Sequence, residues 1–109
     1  MITAQFKRQA SGQLVSAQLT GHADSGPYGQ DIVCAATSSL ALNTVNSLEL
    51  LTPVNFDFAI NEDEGGFIQV SLADTQEEKS QLLMEAFLLG MTNLADNASD
   101  FVSCQVITD

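Results

Sequence analysis

Residues 2–20, ITAQFKRQASGQLVSAQLT, alternate apolar and polar positions on both sides of a Ser11-Gly12 pair. Ile2, Ala4 and Phe6 fall on one side of an extended chain and Thr3, Gln5 and Lys7 on the other, the period-two pattern of a strand with one buried face. Beyond the turn, Val15, Ala17 and Leu19 share a face, so the two runs predict an antiparallel hairpin. The arrangement returns downstream, with Val54, Phe56, Phe58 and Ile60 on one face, an acidic turn over 61–66, then Ile68, Val70 and Leu72 on the returning strand. The acids of that turn are expected to be solvated. Val102, Cys104 and Val106 alternate once more near the end of the chain.

Between these runs the apolar spacing becomes helical. Asp31 is a suitable N-cap for a helix from about Ile32 to Leu51, with Val33, Ala36, Leu40, Leu48 and Leu51 along its stripe and Pro53 just beyond its end. Thr75-Gln76-Glu77-Glu78 reads as a capping box, behind which Leu82, Leu83, Ala86, Phe87 and Leu94 make a second stripe that fades near Asn97. The order is ββαββαβ. Strands with one apolar face need a cover, and two amphipathic helices supply it. The expected fold is therefore α+β: a two-layer sandwich with a largely antiparallel five-stranded sheet and both helices on one face, in a single domain over 1–109. Ala41, Leu42 and Val45 lie off the first helix's main stripe. They fit either a homodimer surface or tighter burial.

A chain of 109 residues with 45% hydrophobic content can bury one core. Its formal net charge is −11, with three Lys and Arg residues against fourteen acidic ones. Neutralising phosphates needs basic side chains, so nucleic acid and anionic membrane are poor partners. The same field would draw in a basic partner at low salt, or simply keep the protein soluble. There is no apolar run long enough to span a bilayer and no signal-peptide pattern, which predicts a cytoplasmic protein. Two cysteines are too few for a disulfide scaffold, so each is expected to be a thiol.

Cys104 falls on the inward face of a strand, where a thiol acts as a small hydrophobe. Cys34 falls at the third position of the expected first helix, where unpaired backbone N–H groups and the positive end of the helix dipole favour a thiolate. Its neighbours Ala35 and Ala36 fit a packing role equally well, and position alone does not decide. His22 is the sole histidine, separated from Cys34 by a stretch from Gly21 to Gln30 that holds Gly21, Gly26, Pro27 and Gly29. Such a stretch reads as a loop. An imidazole beside the thiol could take its proton and return it to a leaving amine, as acyl transfer requires; a lone loop histidine can also make one backbone hydrogen bond and nothing more. Asp31 could cap the helix or orient His22. Backbone N–H groups near Cys34 could hold an oxyanion, and Ser38, one turn on, could touch substrate or bond its own helix carbonyl. CxxC and HExxH are absent, as are third and fourth ligands at useful spacing, so neither a metal nor any other cofactor is expected.

Gly21-His22-Ala23, Gly26, Gly29 and the run Asp31-Ile32-Val33-Cys34-Ala35-Ala36 followed by Ser38 resemble the signature of the ribosomal-processing cysteine protease (Prp) family. The length and element order are similar along the whole chain. The resemblance implies that His22 and Cys34 are the catalytic pair, that Asp31 is the motif aspartate, and that residues 21–30, with Gly21, Gly26 and Gly29, form a mobile segment over the active site. It further implies a cysteine endopeptidase that removes the N-terminal extension of large-subunit ribosomal protein twenty-seven, cutting after Phe and before small residues, a step needed for ribosome assembly. That substrate is basic, which gives the net charge a use in encounter. Thr37 departs from the family, which more often has an aliphatic residue there, and a threonine hydroxyl there can bond the carbonyl four residues back. Two other readings remain: a non-enzymatic acidic module that holds a basic ribosomal protein with Cys34 as packing, and a different thiol-dependent acyl transfer such as a deacylase.

Overall fold

The computed structural model describes residues 1–21, 28–61 and 67–109, the side chains of 28–31 excepted. The elements run β1 (Ile2–Arg8), β2 (Leu14–Thr20), α1 (Tyr28–Leu51), β3 (Phe56–Asn61), β4 (Phe67–Leu72), α2 (Glu78–Asn97) and β5 (Val102–Thr108). This is the ββαββαβ order that the alternation predicts. The five strands form one sheet in the order β3-β4-β2-β1-β5. Every pairing is antiparallel except β1 with β5, which is parallel; α2 carries the chain from β4 across to β5 at the far side of β1. The helices pack on each other, and α2 lies against β5 and β2.

The first hairpin contains a feature that strict alternation hides. Lys7 pairs with Ser16 and Arg8 with Leu14, so Val15 is an extra residue on β2. The bulge shifts the phase, and Leu14 rather than Val15 is fully buried. A bulge interrupts the ladder, and buried backbone groups need partners. Gln81 of α2 provides them: the Leu14 N–H donates to Gln81 Oε1 and Gln81 Nε2 donates to the Leu14 carbonyl, both at 2.8 Å.

The core is the inward face of the sheet, Ile2, Ala4, Phe6, Leu19, Val70 and Val102 among others, closed by Met84, Phe87 and Met91 of α2 and by Ala41, Val45 and Leu48 of α1. Phe6 and Phe87 meet edge to face, ring centroids 5.1 Å apart, the arrangement that places a positive ring edge on a negative ring face. The helices approach closely at Gly90, where an added Cβ would lie 3.1 Å from the Leu40 side chain.

Three expectations about the helices are corrected. First, α1 begins at Tyr28, so Asp31 lies inside its first turn instead of capping it, and Gly29, expected in a mobile loop, belongs to the helix. A glycine costs a helix about 1 kcal/mol, which twenty-four residues can absorb. Second, α2 is capped by Glu77, whose carboxylate accepts the N–H groups of Lys79 and Ser80, while the Thr75 hydroxyl bonds Gln9 on the β1–β2 turn. The buried stripe of α2 is accordingly Ser80, Met84, Phe87, Leu88 and Met91, and Leu82 points to solvent. Third, Ala41 and Val45 are in the core, which leaves Leu42 as the exposed member of the trio read as a possible homodimer surface. For Ala41 and Val45 the surplus is burial in the core.

Candidate active site

A pocket of about 390 Å³ opens between α1 and the β3-β4-β2-β1 part of the sheet. Its sheet wall is apolar: Ile2, Leu19, Ile60 and Ile68, with Phe67 beside them. Ile60 remains 48% exposed and Phe58, on the same face of β3, 37%, because β3 is an edge strand. The helix wall is Cys34, Thr37 and Ser38. Residues three and four apart share a helix face, so the spacing of these three alone brings them to one wall. Asn61, the last residue of β3, and Gly21, just past the end of β2, complete the rim.

Gly21 is required at its position for two reasons. Its φ is +93°, a backbone conformation that L side chains avoid, and a Cβ there would sit well inside 3.0 Å of the Met1 carbonyl oxygen. The chain thus leaves β2 with its backbone against the start of β1, on the pocket rim and one bond from residue 22.

Of the residues singled out from the sequence, Cys34, Ser38 and Gly21 line one cavity. His22 and Gly26 lie outside the described residues, as does the side chain of Asp31. The early start of α1 makes Cys34 its seventh residue, not its third. In regular helix geometry the N–H of a seventh residue is bonded to the carbonyl four back, and the dipole's influence falls off within the first turn. The helix start therefore supplies Cys34 with neither an oxyanion donor nor a strong field. Cys34 is half-buried at the pocket wall and in no disulfide. Cys104, also a thiol, packs against the core 3.9 Å from the Thr92 hydroxyl, and burial pushes its pKa up.

The Thr37 hydroxyl does not make the bond to the carbonyl four residues back that is open to it; it is buried and, among the described residues, has no hydrogen-bond partner. The pocket residues that sequence reasoning missed as site residues are Asn61, Phe67 and the exposed end of β3. Nothing in their local pattern separates them from ordinary hairpin residues, since they reach the site through the pairing of β3 with β4. Among the described residues, no group of three or more His, Cys, Asp or Glu side chains could hold a metal ion, and no helix is long and apolar enough to cross a membrane.

Comparison with known proteins agrees with the geometry. Residues 1–103 match the family model for the cysteine protease Prp. The ribosomal processing cysteine protease Prp of Staphylococcus aureus is 30% identical over 104 residues, covering 92% of this chain and 93% of that protein. The Bacillus subtilis protein of the same name is 30% identical over 103 residues, with 92% of each covered. Among solved structures, SMU.848 from Streptococcus mutans superposes with a TM-score of 0.93 at 48% identity, covering 100% of this chain and 96% of that one. The S. aureus essential ribosomal processing protease Prp in complex with a substrate peptide gives 0.88 at 27% identity, covering 97% and 99%. With a family match over nearly the whole chain and a thiol in the wall of a side-chain-sized pocket, this chain belongs to the Prp family of cysteine proteases.

Proposed function

We propose that the protein is a cytoplasmic endopeptidase that removes the N-terminal extension of large-subunit ribosomal protein twenty-seven, with Cys34 as nucleophile and His22 as its base. The observation that carries this reading is the position of Cys34 in the wall of an apolar pocket whose rim is Gly21, the residue bonded to His22. The S. aureus Prp structure with a covalently linked product peptide supports a covalent route in the family.

In this mechanism the imidazole of His22 takes the Sγ proton, and the thiolate attacks the carbonyl carbon of the peptide, forming a C–S bond and a tetrahedral oxyanion. Collapse breaks the C–N bond while the imidazolium returns its proton to the leaving amine. Water then attacks the thioester, with the same imidazole as base, and releases the acid and the thiol. Ser38, exposed on the same wall, is placed to contact the peptide. Asp31 orients His22 in this reading, since the helix start no longer assigns it to the cap. A peptide that carries many Lys and Arg residues suits a chain of net charge −11, which raises the rate of productive encounter.

The test is to incubate the protein, and separately its Cys34→Ser and His22→Ala variants, with the extended ribosomal protein and to read intact masses. One new N-terminus made by wild type and absent with either variant is expected. Retained cleavage in Cys34→Ser would overturn the assignment of the nucleophile. Binding that survives alkylation of Cys34, with no product formed, would point instead to a holding role for this substrate.

A further inference from the structure

Thr37 is buried, 5% exposed, lines the pocket one turn from Cys34, and among the described residues keeps a hydroxyl with no hydrogen-bond partner. Its behaviour differs from that of other threonines in and beside the helices. Thr44 donates to the Leu40 carbonyl at 2.8 Å, Thr52 to that of Leu48 at 2.7 Å and Thr92 to that of Leu88 at 2.8 Å. This is the usual way for a helical threonine to satisfy itself. Thr37 has the corresponding carbonyl, that of Val33, within its own helix and does not use it.

A buried hydroxyl without a partner is costly, and in a folded protein it needs a reason. Valine would fill nearly the same volume without that cost. The surroundings suggest what completes the site. The opposite wall, Ile2, Leu19, Ile60 and Ile68, offers no side-chain hydrogen bonds and suits an apolar body. The orphaned hydroxyl suits a polar tip. Cys34 is in the wall, and the side chain that leaves the attacked residue starts two bonds from the carbonyl carbon, so this pocket receives the side chain on the acyl side of the scissile bond.

We propose that Thr37 is a specificity-determining residue: its hydroxyl pairs with the phenolic hydroxyl of a tyrosine on the acyl side of the scissile bond, so that this pocket takes tyrosine more readily, relative to phenylalanine, than a valine-walled pocket would. A phenol both donates and accepts, so it satisfies threonine in either direction. Threonine populates two χ1 wells in a helix, and the hydroxyl can turn to the arriving group with no movement of the backbone. The proposal rests on the protease reading of the same pocket.

The test uses two peptides that span the cleavage site and differ by Phe or Tyr at the acyl position. The ratio of kcat/KM for Tyr over Phe is measured in wild type, Thr37→Val and Thr37→Ser. A single hydrogen bond changes such a ratio about two- to tenfold. The expected result is a fall of that size in Thr37→Val and retention in Thr37→Ser. A purely structural role for Thr37 would raise the melting temperature of Thr37→Val and leave the ratio unmoved, and a ratio equal in all three proteins overturns the proposal. Should wild type cleave neither peptide, the protease reading for this substrate fails by itself. The Kd values of the two product acids, ending in Phe or Tyr, are then measured by calorimetry on wild type and Thr37→Val, and the same Tyr-over-Phe discrimination decides the role of Thr37.

Discussion

Replacing Gly21 by alanine tests the point at which the fold builds the site. Two glycines have similar positive φ, Gly12 at +104° and Gly21 at +93°, yet a Cβ at Gly12 meets nothing within 4 Å whereas one at Gly21 drives into the Met1 carbonyl. Holding a non-glycine residue in such a conformation costs about 1–3 kcal/mol, and both variants bear it. Overpacking against fixed neighbours adds about 1–3 kcal/mol, and only Gly21→Ala bears that, since a backbone carbonyl cannot rotate away as a side chain would. At roughly 4–8 °C per kcal/mol for a domain of this size, Gly12→Ala should melt about 4–24 °C below wild type and Gly21→Ala lower again by a similar amount. Circular-dichroism melts of the three proteins, with urea midpoints at unchanged m-value, measure the difference. Cleavage at a temperature where all three remain folded should fall in Gly21→Ala and not in Gly12→Ala, because Gly21 forms the pocket rim. Equal melting temperatures for the two variants would refute the close approach of the two strand ends.

The Arg8–Glu85 pair, bidentate at 2.8 Å, ties β1 to α2 and holds the Glu85 carboxyl below its ordinary value through the arginine's hydrogen bonds. Its stabilisation is present above the unfolded carboxylate pKa and lost as pH falls through the lower folded one. Because Glu85 is 45% exposed, Glu85→Gln should cost less than about 1 kcal/mol at pH 7, and urea midpoints of variant and wild type should converge as pH falls through the lowered folded pKa of Glu85. Phe6→Leu and Phe87→Leu should be coupled by about 0.5–1.5 kcal/mol in a double-mutant cycle, read from the same midpoints; zero coupling would deny the edge-to-face contact. His22→Ala should slow alkylation of Cys34 by iodoacetamide at pH 6 about tenfold or more, and an unchanged rate would remove His22 from the site. Raising salt from 0.05 to 0.5 M should lower kcat/KM for the full-length basic substrate more than for a short neutral peptide, which stopped-flow or discontinuous mass assays resolve.

Strands were legible here because burial on one face imposes period two, and the sheet's inner face is dictated by Ile2, Ala4, Phe6, Val70 and Val102 wherever the pairing is regular. Val15 misled because a bulge changes phase without changing composition, and what identifies the bulge is a partner sixty-seven residues away, the Gln81 amide on Leu14. The helix starts were misread for a related reason. Asp31 and Thr75 have the right side chains to cap, but a cap is defined by the backbone that follows it, and that backbone begins at Tyr28 and Glu78. Thr75 instead serves the β1–β2 turn. Cys34 and Ser38 could be found from the run 31–38 because helical spacing brings them to one side. Asn61, Phe67 and Ile60 could not, since they arrive by strand pairing.

The shift of the helix start changes the chemistry that the remaining groups must supply. At the third helical position Cys34 would draw on a dipole end and unpaired N–H groups; at the seventh it has neither. Cationic side chains are few: fourteen acids stand against three Lys and Arg residues in the chain. Of those three, Arg8 is held by Glu85, Lys7 lies 3.5 Å from Asp109, and Lys79 is in the first turn of α2. Beyond these three, the sequence contains one further side chain that can carry positive charge near neutrality, His22, the partner that the proposed mechanism gives to Cys34. The close backbone approach at Gly21 is then more than a steric detail. Only glycine fits there, so the backbone that lines the pocket beside Cys34 is set at the residue that precedes His22, and the Cys34 alkylation rate in His22→Ala decides whether the imidazole supplies that charge.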